Sequence, residues 1–110
     1  MLSAGEGRTN SLVGVRGVLV GRCWMELEIA ESHSLKDKRR VVKSLIDQVR
    51  QRFNVSIAEV DRQDSWTRST MGVCWVANER RFLDQALARV VQFVQRDARL
   101  TLLDYGMEIE

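Results

Sequence analysis

Cys23-Trp24-Met25-Glu26-Leu27-Glu28-Ile29, then four intervening residues, then Ser34-Leu35-Lys36-Asp37: these two stretches decide how the chain folds. In the first, Cys23, Met25, Leu27 and Ile29 alternate with Trp24, Glu26 and Glu28. A period of two sends successive side chains to opposite faces, so the segment reads as a strand buried on one face only. In the second, the Ser34 hydroxyl is placed to accept an orphan backbone N–H and Asp37 to return the bond, the pattern of a capping box. The helix it opens is expected to end near Phe53. At roughly 100° per residue, Leu35, Val42, Leu45, Ile46, Val49 and Phe53 fall within an arc of about 100°. A strand with one apolar face, followed at once by a helix with one apolar stripe, calls for a helix packed on a half-covered sheet.

The rest of the chain repeats that theme. The first strand extends over Val18 to Ala30. Before it, residues 1–17 carry Gly5, Gly7, Gly14 and Gly17 among Ser, Asn and Thr, and are expected to form a flexible N-terminal extension with little to bury. After the helix, a second strand is expected from Val55 to about Asp61, with Val55 and Ile57 on one face and Ser56, Ala58 and Val60 on the other. Arg62-Gln63-Asp64-Ser65 reads as a turn, which leaves Trp66 in a loop or at a strand edge. A third strand, Ser69 to Ala77, is apolar on both faces and so belongs at the sheet centre. Asn78 suits a helix N-cap, and Leu83, Ala86, Leu87, Val90, Val91 and Val94 recur at helical spacing. A final strand, Leu100 to Ile109, places Leu103, Tyr105, Met107 and Ile109 on one side. With right-handed crossovers, strand-helix-strand-strand-helix-strand gives an α+β fold: a ferredoxin-like βαββαβ sandwich whose four-stranded antiparallel sheet carries two helices on one face, one domain over 18–110.

Composition narrows the class of function. Of 110 residues, 45% are hydrophobic and 29% charged, which excludes a disordered chain. No apolar run approaches the length of a membrane span, and no continuous apolar segment accompanies Arg8 and Arg16 as a secretory leader requires. Cys23 and Cys74 lie in apolar stretches without a Cys-x-x-Cys spacing or a nearby His, and read as two small buried residues in a reducing compartment. The expected location is therefore cytoplasmic, with no disulfide, metal or cofactor.

The net charge of +2 hides a segregation. From His33 to Arg52 there are seven Lys or Arg against two acids, a local +5, and the remainder sums to −3. Lys36, Arg39, Arg40, Lys43 and Arg50 share one arc of the first helix, where guanidinium and ammonium groups can follow a polyanion backbone. Asp47 lies in the same arc, and an ordinary solvated helix face stays open as the alternative. Trp24, on the sheet face away from the helices, and Trp75 on the third strand are candidate anchors for contact with a second copy. Simple partial burial is a second reading, and base stacking by the same pair, as in RNA-recognition sheets, a third, although Glu26 and Glu28 on that face oppose a phosphate backbone. Enzyme signals are poor. His33 stands alone, and no serine elbow, metal-spaced cluster or phosphate-cradling loop occurs. Gly14-Val15-Arg16-Gly17 is similar to the phosphate loop of small acylphosphatases, but it precedes the first strand where that loop follows it. No catalytic residue is assigned.

Four segments in order carry a resemblance. His33-Ser34-Leu35-Lys36-Asp37-Lys38-Arg39-Arg40, then Phe53-Asn54-Val55-Ser56-Ile57-Ala58-Glu59-Val60, then Gln63-Asp64 with Trp66, then Leu102-Leu103-Asp104-Tyr105 resemble the YlxP-like family, domain of unknown function 503. The resemblance covers about Val18 to Glu110. It implies a ferredoxin-like fold and brings no catalytic residues. Genes of this family often stand beside those for translation initiation and ribosome maturation factors, which implies an accessory role near RNA or a ribosomal subunit. The chain departs from the family in its N-terminal extension and in Trp75, where aliphatic residues are common. The competing expectation is a homodimeric interaction module without affinity for nucleic acid.

Overall fold

A computed structural model describes residues 17–110 and shows six elements: β1 (Leu19–Ile29), α1 (Leu35–Arg52), β2 (Ser56–Asp61), β3 (Arg68–Ala77), α2 (Arg80–Gln95) and β4 (Leu100–Ile109). Apart from Gly17, the expected extension lies outside the described residues. The sheet is antiparallel throughout, in the order β2-β3-β1-β4, so β1 and β3 are central, as the apolar pattern of β3 predicts. Both helices lie on one face. The fold is the ferredoxin-like α+β sandwich.

The core follows the two periodicities. Cys23, Met25, Leu27 and Ile29 of β1 are buried against Val42, Leu45 and Val49 of α1 and against Leu87, Val90, Val91 and Val94 of α2. Each such side chain contributes about 1.5–3 kcal/mol relative to exposure. Close packing favours Gly21: a Cβ there would stand 2.8 Å from Leu87 Cδ1, so a larger residue would force the buried Leu87 side chain to shift. Cys23 shares this core, and burial pushes its thiol up to about 11.

The caps show one agreement and one correction. Ser34 is the N-cap of α1, its Oγ accepting from the Asp37 amide at 3.0 Å. Asp37 Oδ2 returns a bond to the His33 amide at 3.1 Å, one residue earlier than a capping box would. At α2 the N-cap is Glu79 rather than Asn78, and no side chain caps the helix there.

Three sequence expectations are overturned. Cys74 is exposed rather than buried: it pairs with Arg22 in register and faces away from the helices, opposite to Cys23. Trp75 does not share the face of Trp24. It pairs with Gly21 on the helix side and stands edge-on to Phe53 and Phe82 at centroid distances of 6.1 and 5.6 Å. An apolar β3 on both faces concealed which tryptophan went where. In β4, a register shift opposite Glu26 and Leu27 breaks the simple alternation, so Leu102 rather than Leu103 joins Leu100 against the core.

Candidate functional site

Lys36, Arg39, Arg40, Lys43 and Arg50 are all exposed on α1, so the arc expected from the sequence exists as a surface. Their engagements differ. Arg40 reaches Asp37 at 3.8 Å and Lys43 reaches Asp47 at 3.2 Å, both within the helix and both exposed. Arg50 turns inward to donate to the Ile57 carbonyl of edge strand β2 at 3.3 Å. Lys36 and Arg39 have no ion pair among the described residues. Arg39, Lys43 and Arg50 border a shallow groove of about 360 Å³ between α1 and β2, which Asp47 and Glu59 also line.

The charge of the molecule is divided between its layers. The two helices carry ten basic and three acidic residues; the four strands carry two basic and six acidic. The local excess read from α1 thus extends to α2, with Arg80, Arg81 and Arg89 against Asp84, while one base and one acid of these counts, Lys38 and Glu59, pair with each other between the layers. A second basic cluster lies where the two helices end. Arg52 stacks over the Phe93 ring at 4.9 Å, and Gln48, Arg96 and Arg99 line the adjoining groove. Arg99 bonds Asp97 through two donors at 2.6 and 2.9 Å and reaches Ser44 of α1 at 3.0 Å. The hydrogen bond from Arg99 holds the Asp97 carboxyl below its ordinary range. Sequence spacing could not find this cluster, because its members come from two helices and the turn between α2 and β4.

Lys38 is the member of the basic run that does not belong to the surface. It is 0% exposed, and its Nζ contacts Glu59 Oε2 at 2.9 Å and the Arg62 carbonyl at 2.7 Å, with the Gln63 carbonyl at 3.5 Å. Glu59 also accepts from the Ser69 hydroxyl at 2.7 Å. One ammonium thus ties three of the four family-like segments together, binding α1 to β2 and to the turn after it. The remaining surface excess on α1 is correspondingly smaller than the seven-to-two count.

That turn is fixed from several sides. Arg62 sits at φ 63, a left-handed conformation that side chains adopt at a cost. The Ser65 amide donates to the Arg62 carbonyl, and Ser65 Oγ accepts from the amides of Thr67 and Arg68. The Ser32 hydroxyl contacts the carbonyls of both Ser34 and Trp66, placing the Trp66 backbone beside the N-cap of α1. The Trp66 side chain itself is 57% exposed. His33 is exposed nearby in the chain and makes no side-chain bond among the described residues.

Among the described residues nothing covers the sheet face opposite the helices. Trp24, 44% exposed, lies across Gly106: a Cβ on Gly106 would stand 2.5 Å from the indole Nε1. On the other side of Trp24, Val60 leans over Gly72. Between them runs a groove of about 610 Å³ with Ser56, Ala58, Gly72 and Cys74 in its lining. Arg22, in its lining, pairs with Glu108 at 3.0 Å and with Glu110; farther along β1, Arg62 pairs with Glu26 at 3.4 Å and Arg68 with Glu28 at 3.9 Å. Among the described residues there is no group of three or more potential metal ligands, and no helix is long and apolar enough to cross a membrane.

Comparison with known proteins assigns a family. A family model described as a protein of unknown function, DUF503, matches residues 20–107. The chain is 37% identical over 76 residues to the uncharacterized protein YlxP of Bacillus subtilis (strain 168), covering 69% of this chain and 83% of that protein. With a family match that spans all six elements and stops two residues short of the end of β4, the chain belongs to the DUF503 family.

Proposed function

We propose that the protein is a non-enzymatic, cytoplasmic accessory factor that contacts RNA or a ribosomal subunit through the outer face of α1. The observation that carries this reading is the division of charge, with basic helices on one side and acidic strands on the other. Lys36, Arg39, Arg40 and Lys43 are the contact residues. The pairs Arg40–Asp37 and Lys43–Asp47 are exposed, so each contributes well under about 1 kcal/mol and yields readily to a phosphate. Arg50 is a weaker candidate, since its guanidinium closes the open edge of β2. The acidic strands argue against the open sheet face as the RNA surface, which separates this fold from RNA-recognition modules that stack bases there.

Binding carried by phosphate contacts is weakly sequence-dependent and falls steeply with salt. Four contacts give a log–log slope of about −3, at roughly 0.7–0.9 per contact. Co-sedimentation with ribosomal subunits across a salt series measures it. Replacing Arg39 and Arg40 together by Gln reduces the slope by about one to two with the fold intact. Equal affinity for the parent and the double variant would remove α1 from the interface.

The uncovered groove beside Trp24 favours a second reading, a homodimer through the open sheet face. Exposed Trp24, Val60 and Val76 on one face form the kind of apolar surface that meets a partner. In that case sedimentation equilibrium shows a dimer that Trp24→Ala shifts toward monomer, while the Gln substitutions on α1 change nothing. A monomer at every accessible concentration rules this interface out.

A further inference from the structure

We infer that Trp66 is a stacking platform for one unpaired base, with Lys36 and Arg39 of α1, the helix whose N-cap it adjoins, to hold the adjoining phosphates; this rests on the RNA reading above and names the part of the RNA that is read. The loop is built before any ligand arrives. Lys38 occupies the carbonyls of Arg62 and Gln63 from beneath, Ser65 closes the turn, and Ser32 fixes the Trp66 carbonyl against the start of α1. A buried lysine and a left-handed Arg62 are unfavourable features on their own, and together they hold an indole in water. A side chain presented from so fixed a backbone loses little freedom on binding.

The surroundings select the kind of partner. The chain on either side of Trp66 is polar: Arg62, Gln63, Asp64 and Ser65 before it, Thr67 and Arg68 after it. A tryptophan that anchors a protein interface normally sits among apolar groups, as Trp24 lies across Gly106 with Val60 over the neighbouring Gly72. An exposed indole whose chain neighbours are hydrogen-bonding groups instead suits a flat, polar-edged ring, and every nucleobase offers a π-face to stack. Cations come from α1, whose first two turns supply Lys36 and Arg39 without ion pairs among the described residues. Asp64 repels phosphate on the loop side, so the backbone of the bound strand lies toward the helix.

The test compares the full chain with Trp66→Ala, Trp66→Phe and Arg39→Gln, using a short labelled oligoadenylate and an RNA duplex of equal length as probes in anisotropy titrations. Trp66→Ala is expected to weaken single-strand binding about tenfold, with the salt slope and duplex binding unchanged, and Trp66→Phe to restore most of the loss. Arg39→Gln is expected to weaken both probes and lower the slope. A circular dichroism melt verifies that each variant is folded, as exposure of Trp66 leads one to expect. If Trp66→Ala weakens both probes alike or neither, while Arg39→Gln still acts, the stacking assignment fails and the RNA reading stands. If the parent chain binds neither probe nor ribosomal subunits, the RNA reading fails and takes this inference with it. Loss of subunit co-sedimentation with naked-RNA binding intact would assign Trp66 to a protein contact instead, and overturn the proposal.

Discussion

Lys38→Met offers the sharpest test of how this molecule holds its shape. The substitution keeps a long unbranched side chain but deletes an ammonium that is fully buried and in contact with a carboxylate and a carbonyl. Removing one member of a buried ion pair costs about 3–5 kcal/mol, mostly because the other charge is left without a partner. Here Glu59 keeps the Ser69 hydroxyl at 2.7 Å, which holds the cost near the lower end. The Arg62 carbonyl loses its short bond as well but keeps the Ser65 amide, so it adds little to that cost. A loss near 3 kcal/mol lowers a urea midpoint by about 2 M at a slope of about 1.5 kcal/mol/M. Tryptophan fluorescence follows the transition. Changing Glu59 to Gln in the same chain recovers part of the loss, since a neutral amide no longer leaves a buried charge exposed to nothing. A midpoint within about 0.5 M of the parent would mean the ammonium is solvated, and the account of a loop pinned from beneath would be wrong.

Three further outcomes are expected. Cys74 reacts with a thiol reagent in the folded protein while Cys23 reacts only after unfolding, because one faces solvent and burial raises the other to about 11; two fast thiols in a native assay contradict this burial. Gly106→Val displaces Trp24 from its position, since the added Cβ falls 2.5 Å from Nε1, so a shifted Trp24 emission is expected with α1 and α2 intact; an unchanged spectrum in a variant retaining Trp24 as its sole tryptophan refutes it. Asp97→Asn destabilises the protein at neutral pH and flattens its acid dependence. The Asp97 carboxyl is held below its ordinary 3.8, so its contribution is full above that pH and is lost as pH falls through the lower folded value. A parent and variant with parallel stability curves between about pH 5 and pH 2 would show the Arg99 contact to be inconsequential.

The alternation in β1 and the stripe on α2 were enough to define the architecture, because each encodes burial by period alone. Leu83, Ala86, Leu87, Val90, Val91 and Val94 are all buried, as their spacing requires. Lys38 escaped that logic. Its angle places it inside the core stripe, between Leu45 and Val49, but a lysine counts as polar in any periodic pattern, and its partner Glu59 lies 21 residues away. Trp75 and Cys74 were misplaced for a related reason: where both faces of a strand are apolar, hydrophobicity no longer tells inside from outside, and only register does. Lys36, Arg39, Arg40 and Lys43 were legible as a surface because a solvated helix face needs no long-range partner. The Arg52–Arg96–Arg99 cluster was not, since it is assembled only by the packing of the two helices.

Segregated charge has a mechanical consequence. Basic helices above acidic strands give the sandwich an electric dipole directed across its two layers, and near any polyanion such a body is turned before it touches. On the RNA reading it arrives helices first. The groove between Trp24 and Val60, which nothing among the described residues covers, then points outward, so a second partner could be held there without competing for surface.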